Sequence, residues 1–224
     1  MDTQDNTGLG LIKTTIERVQ NEKSLFNSAL KKLVNSTEEE LDDFLKRRIE
    51  AKPQQGILRL ISEGKSLKLK ALDGSRHICK SKKTFKSFID ADFENWGINK
   101  KGVATPETPI QIHEMVGDGT FMDIFRSVPG TWREKWVSQD QVIEFCESLP
   151  DWLRQEGYGT FFLVRKDENK PIDETKPEEN LGVVRVYVDD DGLRADVFQL
   201  EYDHVWVGER RHRVVSPQLM PSGN

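Results

Sequence analysis

The chain has 224 residues, of which 36% are hydrophobic and 32% charged, and it contains five Trp and eleven Phe. That length suits one domain with an appendage or two small domains, and the large apolar residues suffice for a real core, which excludes global disorder. The net charge of −5 conceals a segregation: residues 1–50 sum to about −2, residues 51–101 to about +7 and residues 102–224 to about −10. A basic patch is compatible with so acidic a total.

No run approaches the roughly 20 apolar residues that a membrane span needs. The start, Met1-Asp2-Thr3-Gln4-Asp5-Asn6-Thr7-Gly8, lacks the basic region of a secretory signal. Cys79 and Cys146 are the only cysteines and both sit in apolar patterns. They are expected as reduced, buried thiols, which points to a cytoplasmic protein.

In chain order, the first expected element is a long helix. Ile12, Ile16, Val19, Lys23, Phe26, Leu30 and Leu33 alternate steps of four and three, the a/d seam of a helix that presents one stripe to a partner. Lys23 interrupts the seam, and a charge there can fix register or partner number. The expected partner is another protein or a second copy of the chain. Ser36-Thr37-Glu38-Glu39 reads as a capping box opening a second helix with Leu41, Phe44, Leu45 and Ile49 on one face. The two helices are expected to form a helical hairpin, an arm over residues 1–52. Lys52-Pro53-Gln54-Gln55-Gly56 then marks the boundary to an α+β domain over residues 53–224.

The next segment is β-rich and basic. Ile57–Ile61 and the alternating Leu67-Lys68-Leu69-Lys70-Ala71-Leu72 read as strands, and Asp73-Gly74 as a hairpin turn into Arg76–Cys79. From Ser81 onward, Phe85, Phe88 and Ile89 take helical spacing. Glycines and prolines punctuate residues 97–120, with room for a strand over Ile110–Val116, and a brief helix follows over Phe121–Phe125. Ser138-Gln139-Asp140-Gln141 is a capping box for a helix that Pro150 stops. The C-terminal part is expected to be an antiparallel meander: Thr160–Val164, Gly182–Val188 and Leu193–Tyr202, with a short fourth strand at Val205-Trp206-Val207.

The common catalytic spacings are missing from this sequence. The four histidines, His77, His113, His204 and His212, make neither a His-x-x-x-His pair nor a Cys-x-x-Cys association. There is no phosphate loop, no dinucleotide fingerprint and no nucleophile elbow. No cofactor is therefore expected. Asp189-Asp190-Asp191-Gly192 lacks the alternating register of a calcium loop and reads as a hairpin tip. Asp90 and Asp92, with His204 or His212, would suit a metal-dependent hydrolase only if the fold brought them together. Lys68, Lys70, Arg76, Lys82, Lys83 and Lys86 are candidate phosphate contacts for a nucleic acid, against the alternative that they solvate strand and helix faces. His204, Trp206, Arg210, Arg211, His212 and Arg213 put Arg forks beside aromatic faces, which suits phosphate, carboxylate or base-stacking ligands. The competing reading places Trp206 in the core and pairs the arginines with carboxylates.

Asp92-Phe93-Glu94-Asn95-Trp96-Gly97, Thr105–Met115, Gly119-Thr120-Phe121, Asp151–Leu163 and Arg211–Leu219 together resemble a family of bacterial proteins from the small genomes of host-dependent candidate-phylum bacteria. The likeness covers roughly residues 57–219. It implies a cytoplasmic bacterial protein and carries no activity. The leading expectation is an interaction module that uses its N-terminal helices; nucleic-acid binding and metal-dependent hydrolysis are the alternatives.

Overall fold

Phe161-Phe162-Leu163-Val164 and Val183-Val184 are unbroken apolar runs, and side chains along a strand point alternately to opposite faces. Such runs belong to strands covered on both sides, and the computed structural model, which describes residues 56–219, places them at the centre of one sheet. Its strands are β1 (Leu58–Leu60), β2 (Leu67–Leu69), β3 (Phe88–Ile89), β4 (Thr108–Met115), β5 (Thr160–Arg165), β6 (Leu181–Asp189), β7 (Gly192–Gln199) and β8 (Arg213–Pro217). They lie in the order β1-β4-β8-β5-β6-β7-β3, with β2 also paired to β4.

Two cores follow from the alternation. Ile110, Ile112, Phe162, Val164, Val184, Val186, Val197 and Val215 face one side. Met115, Phe161, Leu163, Leu181, Val183 and Val214 face the other. The described helices are α1 (Asp92–Asn95), α2 (Phe121–Ser127), α3 (Trp132–Lys135) and α4 (Gln139–Ser148). Helix α4 covers the first side with Val142, Ile143, Phe145 and Cys146, and α2 the second with Phe121, Ile124 and Phe125. Each begins at a capping box, Thr120 with Asp123 for α2 and Ser138 with Gln141 for α4, so two orphan N–H groups at each N-terminus are satisfied reciprocally.

The expected fold class, α+β with an antiparallel meander behind a helical hairpin, is corrected by this sheet. It is mixed, with β8 parallel to β5 and β3 parallel to β7, and its helices are few and short. The meander β5-β6-β7 does form with antiparallel registers, but it is one half of a wider sheet. Arg213–Pro217, whose first residue was read as part of a ligand-binding run, is instead the strand that joins β5 to β4. Asp73-Gly74 makes no hairpin, because β2 spends its pairing on β4 and residues 78–80 form a 3₁₀ turn. The helix expected around Phe85 to Ile89 is a run of turns ending in β3. Val205-Trp206-Val207 contributes a single bridge, Gly119 to Trp206, rather than a strand. The hairpin expected over residues 1–52 lies outside the described residues, as does the seam from Ile12 to Leu33. Among the described residues no helix is long and apolar enough to cross a membrane.

Candidate functional site: a lysine-lined pocket

The segment from Asp73 to Thr84 leaves the sheet after β2 and is tied to α4 by one arginine. Arg76 Nε donates to Asp140 Oδ1 at 2.6 Å, Nη1 to Glu147 Oε2 at 2.7 Å and Nη2 to Glu144 Oε2 at 3.2 Å. Thr84 Oγ1 adds a hydrogen bond to Glu147 at 2.6 Å, and the Ile78 amide donates to Gln139 Oε1 at 3.2 Å. Opposite this anchor, the Gly102 amide donates to the Gly74 carbonyl at 3.0 Å. Gly74 has φ +72°, and a Cβ there would come 2.4 Å from the Val103 carbonyl oxygen. Only glycine permits that approach, which carries Lys101 to the Arg76–Lys83 segment.

Between the two lies a concavity of about 430 Å³. Lys80, Lys82, Lys83 and Lys101 line it with Arg76, the hydroxyl residues Ser75, Ser81 and Thr84, and a single acid, Glu147. The acid is already engaged by Arg76 and Thr84. The four lysines make no ion pair among the described residues, so the lining presents uncompensated positive charge. His77, 7% exposed, sits in the same wall, and its Nδ1 has no partner among the described residues. Burial holds the His77 pKa below its ordinary value, Lys80 and Lys101 push the same way and Glu94 opposes them. The imidazole is therefore neutral near pH 7.

The candidate phosphate contacts divide. Lys82 and Lys83 line the pocket. Arg76 does too, but its three carboxylates make it a tether. Lys68 pairs with Glu107 and Lys70 with Glu144, both at 2.9 Å, and Lys86 lays its stem beside Gly192 at the start of β7. Lys80 and Lys101 were missed. Lys80 stands in the same run, Lys80-Ser81-Lys82-Lys83, and could have been found there. Lys101 is brought in by the Gly74–Gly102 contact, for which the sequence offers no more than the two glycines.

The C-terminal run serves the fold. Trp206 is buried among Phe121, Phe161 and Phe198 with ring centroids 4.9–6.0 Å away. His204 packs edge-on against it at 4.7 Å. Arg213 Nη1 donates to the Asp151 and Leu153 carbonyls, Arg211 lies 3.6 Å from Glu114, and the Arg210 carbonyl accepts from Arg154. His212 stacks on Phe161 at 4.9 Å, and its Nδ1 accepts the Gly159 amide at 2.9 Å. Burial pulls its pKa down to about 4. The arginines that do lie on aromatic faces are ones the sequence did not single out: Arg185 over Tyr187, Phe198 and Trp206 and bonded to buried Asp196, Arg194 over Phe88 and Tyr187, Arg165 over Trp136 and Arg154 over Tyr158.

The fold does not bring the proposed hydrolase residues together. Asp90 accepts the Asp92 and Val197 amides beside β7, whereas His212 precedes β8. Strands β5, β6 and β7 intervene in the sheet, a span of roughly 19 Å at the usual strand spacing. Among the described residues no group of His, Cys, Asp and Glu is placed to hold a metal ion. No protein family, curated protein or solved structure matches the chain, so the geometry of the pocket carries the functional reading.

Proposed function

We propose that the protein is a nucleic-acid-binding module that engages phosphate groups through the pocket lined by Lys80, Lys82, Lys83 and Lys101. The carrying observation is the convergence of these four cations, free of carboxylate partners among the described residues, in a chain whose net charge is −5. Acidic groups outnumber basic ones overall, and most described cations nearby are consumed in pairs, so an unpaired cluster in a concavity has a ligand of opposite charge as its natural complement. The free thiols of Cys79 and Cys146 fit the reducing cytoplasm expected from sequence.

The test is binding of mixed-sequence single-stranded and duplex oligonucleotides across a salt series. Phosphate neutralisation by four lysines releases counterions and gives a log–log slope of about −3 on single strands and about −3.6 on duplex. Replacing Lys82 and Lys83 by Glu should abolish binding at moderate salt. Absence of binding to any strand at low salt eliminates the proposal. The a/d spacing from Ile12 to Leu33 supports a second reading, contact with a protein partner; a monomeric mass for the full chain in light scattering removes its self-association version.

A further inference from the structure

Resting on the phosphate-binding reading above, we infer that the pocket seats the terminal phosphomonoester of a nucleic-acid strand, so the protein holds a strand end in preference to an internal run of phosphodiesters. Three observations carry this. The cations line one concavity from two parts of the chain: Lys80, Lys82 and Lys83 from one segment and Lys101 from the segment that Gly102 ties to Gly74. A strand passing through would need cations spaced along a track, whereas a strand end needs them gathered around one group. The volume of about 430 Å³ also matches a site for one small ligand.

The second observation is His77. It is 93% buried and lines the cavity, and its Nδ1 has no partner among the described residues. A buried polar atom left unsatisfied is uncommon and costly; Nδ1 lies just beneath the cavity surface, and a turn of the imidazole toward the cavity would let its N–H donate to a phosphate oxygen. The third is charge. A phosphomonoester carries about −1.5 to −2 at neutral pH with three acceptor oxygens, against −1 for a phosphodiester. A pocket with four unpaired lysines discriminates between those two by the extra charge and the extra acceptor.

The experiment is fluorescence anisotropy of the full chain with one 12-nucleotide single strand in three forms: 5′-phosphate, 3′-phosphate and hydroxyl at both ends. One phosphorylated form is expected to bind about tenfold more tightly than the hydroxyl form, the worth of one or two charge-assisted hydrogen bonds. His77→Gln and Lys101→Ala should each weaken the phosphorylated form more than the hydroxyl form, and so shrink that preference. In the unsubstituted protein, inorganic phosphate should shift the His77 imidazole resonances in NMR at millimolar concentration.

Equal affinity for phosphorylated and hydroxyl ends overturns the strand-end inference and leaves nucleic-acid binding standing. Loss of all strand binding at low salt overturns both. A nucleoside monophosphate that binds as tightly as the phosphorylated strand also overturns the inference, because the ligand is then a free phosphate compound.

Discussion

Arg76 Nε lies 2.6 Å from Asp140 Oδ1, and Asp140 is only 2% exposed. With Glu144 also buried, at 4% exposure, the guanidinium compensates two carboxylates that water cannot reach. Truncating one member of such an arrangement leaves charge buried without a partner, which costs more than the pair contributes. Lys70 still reaches Glu144, so the penalty falls mainly on Asp140. Arg76→Ala is expected to lower stability by about 2–4 kcal/mol, seen in urea denaturation as a lower midpoint. An unchanged midpoint would show that the carboxylates rehydrate.

The same tether carries a pH signature through Glu147. Burial raises its pKa, but hydrogen bonds from Thr84 and Arg76 more than offset this, and the carboxyl sits below its ordinary value of 4.5. A depressed carboxylate adds stability above the unfolded value and loses it as pH falls through the folded one. The stability gap between the unsubstituted protein and Arg76→Ala should therefore narrow as pH drops below 4.5. A gap that stays constant from pH 7 to pH 3.5 would exclude Glu147 from the tether.

Gly74 controls the other wall of the pocket. A methyl group there meets the Val103 carbonyl oxygen at 2.4 Å, and φ is +72°, so Gly74→Ala suffers both a backbone penalty and a clash, about 2 kcal/mol or more together. Relief comes by pushing the 101–103 segment away, which withdraws Lys101. Gly74→Ala should lower the melting temperature and also weaken oligonucleotide binding about as much as Lys101→Ala does. Full affinity in a destabilised Gly74→Ala protein would show that Lys101 reaches the pocket without this contact.

Local signals in the sequence were reliable where the cause was local. The Ser138–Gln141 capping box marked the start of α4 because its hydrogen bonds span three residues. The runs at 160–164 and 182–188 marked β5 and β6 because a short aromatic and β-branched run is a property of each strand alone. What failed depended on distant partners. Asp73-Gly74 carries the chemistry of a hairpin turn, yet the residues that pair with β2 are Thr108, Pro109 and Ile110. Arg213–Pro217 hid behind its arginines, although Val214 and Val215 insert between β4 and β5 and face opposite cores. The pocket shows the same division: Lys82 and Lys83 were legible as a charge run, and Lys101 was supplied by a tertiary contact.

His212 gives the sharpest pH prediction. Its pKa is lowered from 6.5 to about 4, first by burial, with Arg185, Arg210 and Arg154 adding repulsion. Between pH 6.5 and 4 the unfolded chain binds a proton that the folded chain refuses, so stability is full above 6.5 and falls as the medium is acidified across that window. The loss from this residue is on the order of 3 kcal/mol, with a slope of at most about 1.4 kcal/mol per pH unit. His77 and His113, also held low by burial, leave a residual slope of the same sign. His212→Asn removes the titrating group while its side-chain oxygen stands where Nδ1 accepts the Gly159 amide. The variant forfeits the stacking on Phe161 and should be less stable at pH 7, yet its stability should decline less steeply from pH 6.5 to 4. Parallel curves for the two proteins, from urea titrations at each pH, would show that His212 is protonated in the folded state.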